Sequence, residues 1–288
     1  MRKSRVALAV MVLLSFTVAG ASAQVMYTVT DLGILPGRSE SYAVGVNDSG
    51  QVAGSSFTGT GDFRAFLYSN GTMQDLGTLP GGFSSEANGI NDKGQVVGDA
   101  DTSRGPNHAF LYSNGTMQDL GTFGGQDTVA WGINNQGQVV GWTDSSDSNG
   151  RAFLWANGTM QDLGALPGCS DSFAVAVNDS GQIVGSSITD GGTYRAFLYT
   201  NGAMLDLNSL IPPSSDWILG AAYAVSDNGQ IAGWGTNPGG QTDAFLLTPI
   251  NSPEPSTLAL LAAGAAGLAG YALRRRSRGR LSASLAAR

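Results

Sequence analysis

Between Gln24 and Ile250 the chain has one cysteine, one histidine and six basic residues. The lone Cys169 excludes an internal disulfide framework, so packing and hydrogen bonding must hold this stretch together. One histidine and one cysteine are too few ligands for an ordinary zinc or copper site. The six basic residues face 21 acidic ones, a net charge of −15, which disfavours nucleic acid and anionic lipid as partners. No part of this stretch has helical periodicity.

The two ends differ from the middle. Residues 1–23 open on Arg2, Lys3 and Arg5, continue as an apolar run and finish at "ASA", the layout of a cleavable secretory signal peptide. At the other end a linker, 251–257, leads into the apolar run "LALLAAGAAGLAGYAL" (258–273) and a basic tail, 274–288. The apolar run reads as a short transmembrane helix with its arginines on the cytoplasmic side. At 16 residues of mostly Ala and Gly it falls short of the roughly 20 that a permanent anchor needs. Pro253-Glu254-Pro255, the apolar run and Arg274-Arg275-Arg276 resemble, in that order, the PEP-CTERM sorting signal of Gram-negative envelope proteins. The resemblance implies transient inner-membrane anchoring, recognition by an exosortase-type processing enzyme, and release to the cell surface or extracellular matrix. The 12 residues after Arg276 depart from its usual length.

The 24–250 stretch is a fivefold repeat. "NDSGQVAG" at 47 returns as "NDKGQVVG" at 91, "NNQGQVVG" at 134, "NDSGQIVG" at 178 and "SDNGQIAG" at 226. A period near 44 residues is that of an architecture whose units stack on copies of themselves. Each of the first four units breaks into four short pieces rich in β-branched and aromatic residues, as in "YAVGVN", "QVAGSS", "RAFLYSN" and "GTMQDLG". Asn-Gly joins the third piece to the fourth at 70, 114, 157 and 201, the strongest short hairpin signal. "NDxG" joins the first to the second as a tight turn. The fifth unit stops at "AFLLTP" without a fourth piece, and a spare one, "YTVTDLG" at 27–33, precedes the first unit. The expected fold is therefore all-β, a five-bladed β-propeller of four-stranded antiparallel blades whose N-terminal strand closes the last blade. An open β-solenoid is the alternative. "HAF" at 108–110, its "RAF" variants and "NDxGQVVG" resemble the HAF-repeat family of probable extracellular proteins, which implies an exported repeat protein without a catalytic motif.

Positions that recur five times serve folding, and positions that vary between units are free to bind. The variable loops lie on one rim and carry the candidate ligand-binding residues Trp142, Trp217, Trp234, Tyr194, Asp144 and Asp147. Aromatic faces beside carboxylates suit a sugar's C–H face and hydroxyls, although such aromatics also plug rims and pack between blades. "DSSDSNG" at 144–150 is the one loop rich enough in oxygen for Ca²⁺, but it lacks the EF-hand spacing, and no other cofactor is expected. His108 aligns with Arg64, Arg151 and Arg195, which makes it a polar strand residue and argues against a Ser-His-Asp device. The expectation is a non-enzymatic exported protein that binds extracellular polysaccharide, such as a biofilm matrix component. A polysaccharide-acting hydrolase or lyase is one alternative, since carboxylates from different blades could converge. A purely structural surface protein is the other.

Overall fold

The computed structural model describes residues 27–250 apart from 59, 60, 104, 147 and 148. The signal peptide, the PEP-containing linker, the apolar run and the basic tail lie outside the described residues, and so does Asp147. Among the described residues no helix is long and apolar enough to cross a membrane.

Five antiparallel sheets follow one another along the chain. The first is β1 (Glu40–Val46), β2 (Val52–Phe57), β3 (Phe63–Ser69) and β4 (Thr72–Asp75). The second is β5 (Ser85–Ile90), β6 (Val96–Asp101), β7 (Asn107–Ser113) and β8 (Thr116–Asp119). The third is β9 (Gly124–Ile133), β10 (Val139–Ser145), β11 (Gly150–Ala156) and β12 (Thr159–Asp162). The fourth is β13 (Asp171–Val177), β14 (Ile183–Ile188), β15 (Tyr194–Thr200) and β16 (Ala203–Asp206). The last has three strands, β17 (Ile218–Val225), β18 (Ile231–Thr236) and β19 (Thr242–Leu247). Each sheet is a meander in sequence order.

The repeated residues explain the repeated geometry. Asn70 and Gly71 have φ of 50° and 80°, the two positive values of a type I′ turn, and the three later Asn-Gly pairs match them. The aspartate of "DLG" folds its strand end back, Asp75 Oδ1 accepting from the Gly77 N–H at 2.8 Å. In every sheet the first strand is bulged against the second, around Val44, Asn88, Trp131, Val175 and Tyr223.

The octapeptide does more than turn. Asn47, Asn91, Asn134 and Asn178 are buried, and each accepts two backbone N–H bonds inside its own turn, as Asn134 Oδ1 does from Gln136 (3.1 Å) and Gln138 (2.9 Å). Each also donates from Nδ2 to the backbone carbonyl of the equivalent residue in the next sheet, at 2.9–3.0 Å. In return, the neighbouring position of the next turn accepts, Asp92 Oδ1 from the Asp48 N–H at 3.0 Å and Asp179 Oδ1 from the Asn135 N–H at 2.8 Å. The Asp48 N–H accordingly holds the Asp92 carboxyl below the usual carboxylate range. Paired bonds therefore staple each of the first four turns to its successor. The fifth turn has Ser226 in the asparagine position, and its hydroxyl is used within its own turn.

The core lies between successive sheets. Ala65, Leu67, Leu76 and Leu79 meet Ala87, Val96 and Phe110, and equivalent clusters fill the next three junctions. The first and last sheets each leave one face uncovered. Ala87, Ala130, Ala174 and Ala222 are at most 2 % exposed, whereas Ala43 at the same position of β1 is exposed, with Tyr42 and Val44 around it. Ala65, Ala109, Ala152 and Ala196 are fully buried, whereas Ala244 of β19 is exposed beside Leu246.

The expected fourth strand of the last blade is not formed. Residues 27–33 adopt no strand, Tyr27 and Val29 are 88 % and 97 % exposed, and none of the five sheets is closed. The alternation of 27–33 suits a fourth strand, but alternation does not specify which sheet edge a strand pairs with.

Candidate functional site

The meander sends the strand ends to two sides. One side carries the asparagine turns, and Val46, Ile90, Ile133, Val177 and Val225 surround a cavity of about 380 Å³ there together with those turns. Its lining repeats in every unit, which marks it as scaffold. The opposite side carries the β2–β3 type loops and the links between sheets, where the units differ.

On that side the structure brings together two of the four predicted aromatics. Tyr194, at the start of β15, lies 5.8 Å from Trp234 of β18, with the rings inclined at 60°. Trp234 Nε1 donates to Tyr223 Oη at 2.9 Å, so Tyr223 joins the pair across the sheet. Tyr194 and Tyr223 are 43 % and 55 % exposed, which leaves an aromatic surface with polar tips. The Asn237–Gln241 turn closes the same end of β18, and Asn237 Nδ2 donates to Asp243. Trp142 lies elsewhere, packed with Trp131 around Phe173 of the next sheet at ring distances of 5.9 and 6.3 Å. Trp217 packs against the core between the fourth and last sheets and lines a groove of about 350 Å³ with Ile211, Phe245 and Leu247. Tyr223 was not distinguishable in the sequence, because its position lies within a first strand and only the bulge turns it toward Trp234.

Of the predicted carboxylates, Asp144 is the one among the described residues. Asp144 Oδ1 accepts from the Asp127 N–H at 2.7 Å and so ties β10 to β9. Among the described residues no group of three or more His, Cys, Asp or Glu side chains has a metal-holding arrangement. A different acid, Asp99 on β6, is perturbed. Its oxygens accept from Asn88 Nδ2 (3.1 Å) and Asn107 Nδ2 (3.2 Å). Burial pushes its carboxyl up to about 6; the Asn88 hydrogen bond opposes this, and the charges of Glu86 and Asp127 add to it. Glu86 is itself raised by burial. The cavities of about 630, 380, 350 and 230 Å³ are lined by other residues, so these acids face no substrate-sized pocket among them.

Asp99 has a consequence for stability. Its folded pKa lies above the unfolded value, so between about pH 4 and 6 the native state keeps a proton that the unfolded chain has lost, and stability falls as pH rises through that window. Asp99→Asn is expected to flatten this part of the profile and to stabilise the protein by about 2–3 kcal/mol at neutral pH. Urea melts of both proteins across the window check it, and parallel profiles would contradict it.

Comparison with known proteins adds one match outside the described residues. Residues 253–276 match the PEP-CTERM protein-sorting motif. This implies an exported, cell-surface-targeted protein processed by an exosortase-type system. No curated protein matches the chain. Solved structures similar to it include TolB from Acinetobacter baumannii, at 17% identity and TM-score 0.44, over 70% of this chain and 52% of that one. The β-propeller domain of the Trilobed protease from Pyrococcus furiosus is similar at 7% identity and TM-score 0.45, over 74% and 71% of the two chains. The six-bladed β-propeller lectin of Aleuria aurantia is similar at 12% identity and TM-score 0.38, over 75% and 79%. The chain spans about half the length of TolB.

Proposed function

We propose that this is a non-enzymatic, exported and surface-sorted repeat protein that binds extracellular polysaccharide through Tyr194, Tyr223 and Trp234. The observation that carries the reading is the exposed aromatic cluster on the side where the units differ. A surface of aromatic faces beside amides and a carboxylate suits a sugar ring, and clustered exposed apolar area is uncommon without a binding role. The sorting motif supports placing it where such polymers are found.

In this reading the five sheets are the blades of a five-bladed propeller, the last of them three-stranded. One feature supports it: the five first turns share one cavity. The resemblance of the "HAF" and "NDxGQVVG" repeats to HAF-repeat proteins fits an exported scaffold whose binding residues vary. The reading requires no cofactor.

Titration of the purified protein with a polysaccharide panel that includes its own organism's matrix tests this. Saturable binding to at least one polymer is expected, with EDTA deciding whether the 144–150 loop contributes through calcium. Absence of binding to every polymer would overturn the reading in favour of a structural role.

A further inference from the structure

We propose that the cavity beside His108 is a receptor for an alkylguanidinium group. The template for it lies within the same chain. In the fourth sheet Arg195 donates from Nη1 to the Pro167 carbonyl at 3.0 Å and from Nη2 to the Asp206 carboxylate, so one guanidinium bridges the link entering the sheet and the end of its last strand. The hydrogen bond to Asp206 holds the Arg195 guanidinium even more firmly protonated than usual. In the second sheet His108, Asp119 and Pro80 stand at the same spacings as Arg195, Asp206 and Pro167.

Histidine occupies the arginine position there, and it is too short to bridge. His108 Nδ1 reaches Asp119 Oδ2 at 2.9 Å, and beyond the imidazole a cavity of about 630 Å³ opens. Leu79, Pro80, His108, Asp119, Thr122 and Gln126 are among its walls. The Asp119 side chain is 42% exposed, against 15% for Asp206 beneath its arginine. The second sheet thus keeps the carboxylate and the proline that receive a guanidinium in the fourth, but among the described residues none supplies one there.

The chemistry favours a guanidinium over a point-like ammonium. Its planar fork donates in two directions at once, as Arg195 does, and an alkyl stem can lie along Leu79 and Pro80. The net charge of −15 between Gln24 and Ile250 draws cations toward this surface. This site is separate from the aromatic cluster, and neither proposal depends on the other.

Calorimetric titration of the full protein with agmatine, with N-acetyl-arginine amide and with cadaverine as the ammonium control tests it. Saturable binding of at least one guanidinium probe, at least tenfold tighter than cadaverine, is expected. Agmatine alone would indicate a free small molecule as the natural ligand, and N-acetyl-arginine amide an arginine side chain. His108→Arg, which restores the residue found in three other units, is expected to fill the cavity and abolish binding while the protein stays folded. Asp119→Asn is expected to weaken binding at least tenfold. No saturable binding of either guanidinium probe, or binding that survives in folded His108→Arg protein, would overturn the proposal.

Discussion

Gly141→Ala is expected to unfold the protein. A Cβ at this position of β10 would lie 1.9 Å from the Val129 carbonyl oxygen of β9, far inside van der Waals contact. The bulge at Trp131 presses the two backbones together, and Gly54, Gly98, Gly185 and Gly233 meet the equivalent carbonyl at 1.8–2.1 Å. The obstructing atom belongs to a sheet backbone buried between two neighbours, so it cannot swing aside as a flexible side chain would. Overpacking typically costs about 1–3 kcal/mol and occasionally more, and a clash with main chain that cannot yield belongs at the upper end, a large share of a domain's stability. Circular dichroism with a thermal melt checks it, and a cooperative transition within a few degrees of the natural protein's would contradict it.

Asn134→Ala is expected to cost about 3 kcal/mol, because it strips four hydrogen bonds from one buried side chain. Two close its own turn, one steadies Gln138, and one crosses to the Asn178 carbonyl of the next sheet. Asn134→Ser separates these contributions. Ser226 fills the position naturally in the fifth turn, where its hydroxyl accepts from the Gln230 N–H at 3.0 Å. A serine at 134 is expected to keep the bond from the Gln138 N–H that closes the turn and to lose both Nδ2 bonds, the cross-link among them, at about 1–2 kcal/mol. Urea denaturation of both variants checks the order, and equal losses would place all of the asparagine's effect in its bonds beyond the turn, contradicting a share for the turn itself.

The repeats made most of this fold legible. Asn70-Gly71 requires positive φ at two successive residues, and only one common hairpin turn provides that. The four pieces of each of the first four units, and the three of the fifth, became strands because their composition and their turn residues agreed. The inter-sheet half of the asparagine's work was not legible, since Asn47 and Asn91 come together only when two units stack. Residues 27–33 illustrate the opposite limit: they match "MQDLG" in pattern, yet pairing depends on an edge far away in sequence.

The candidate site was less legible than the fold. Trp142 and Trp234 occupy equivalent positions in their units, yet one packs on Phe173 of the next sheet and the other on Tyr194 of the preceding one. Which neighbour an aromatic meets depends on residues contributed by other units. The substitution at His108 was visible as a break in the Arg64, Arg151, Arg195 series, but the cavity that it lines was not.

The central claim is that the repeated positions build the scaffold while Tyr194, Tyr223 and Trp234 bind the ligand. Its most direct test is a Tyr194→Ala/Tyr223→Ala double variant, measured side by side with the natural protein for melting temperature and polysaccharide affinity. Both tyrosines are more than 40% exposed, so the melting temperature is expected to stay within a few degrees while affinity falls at least tenfold. Unchanged affinity in the folded variant would contradict the account.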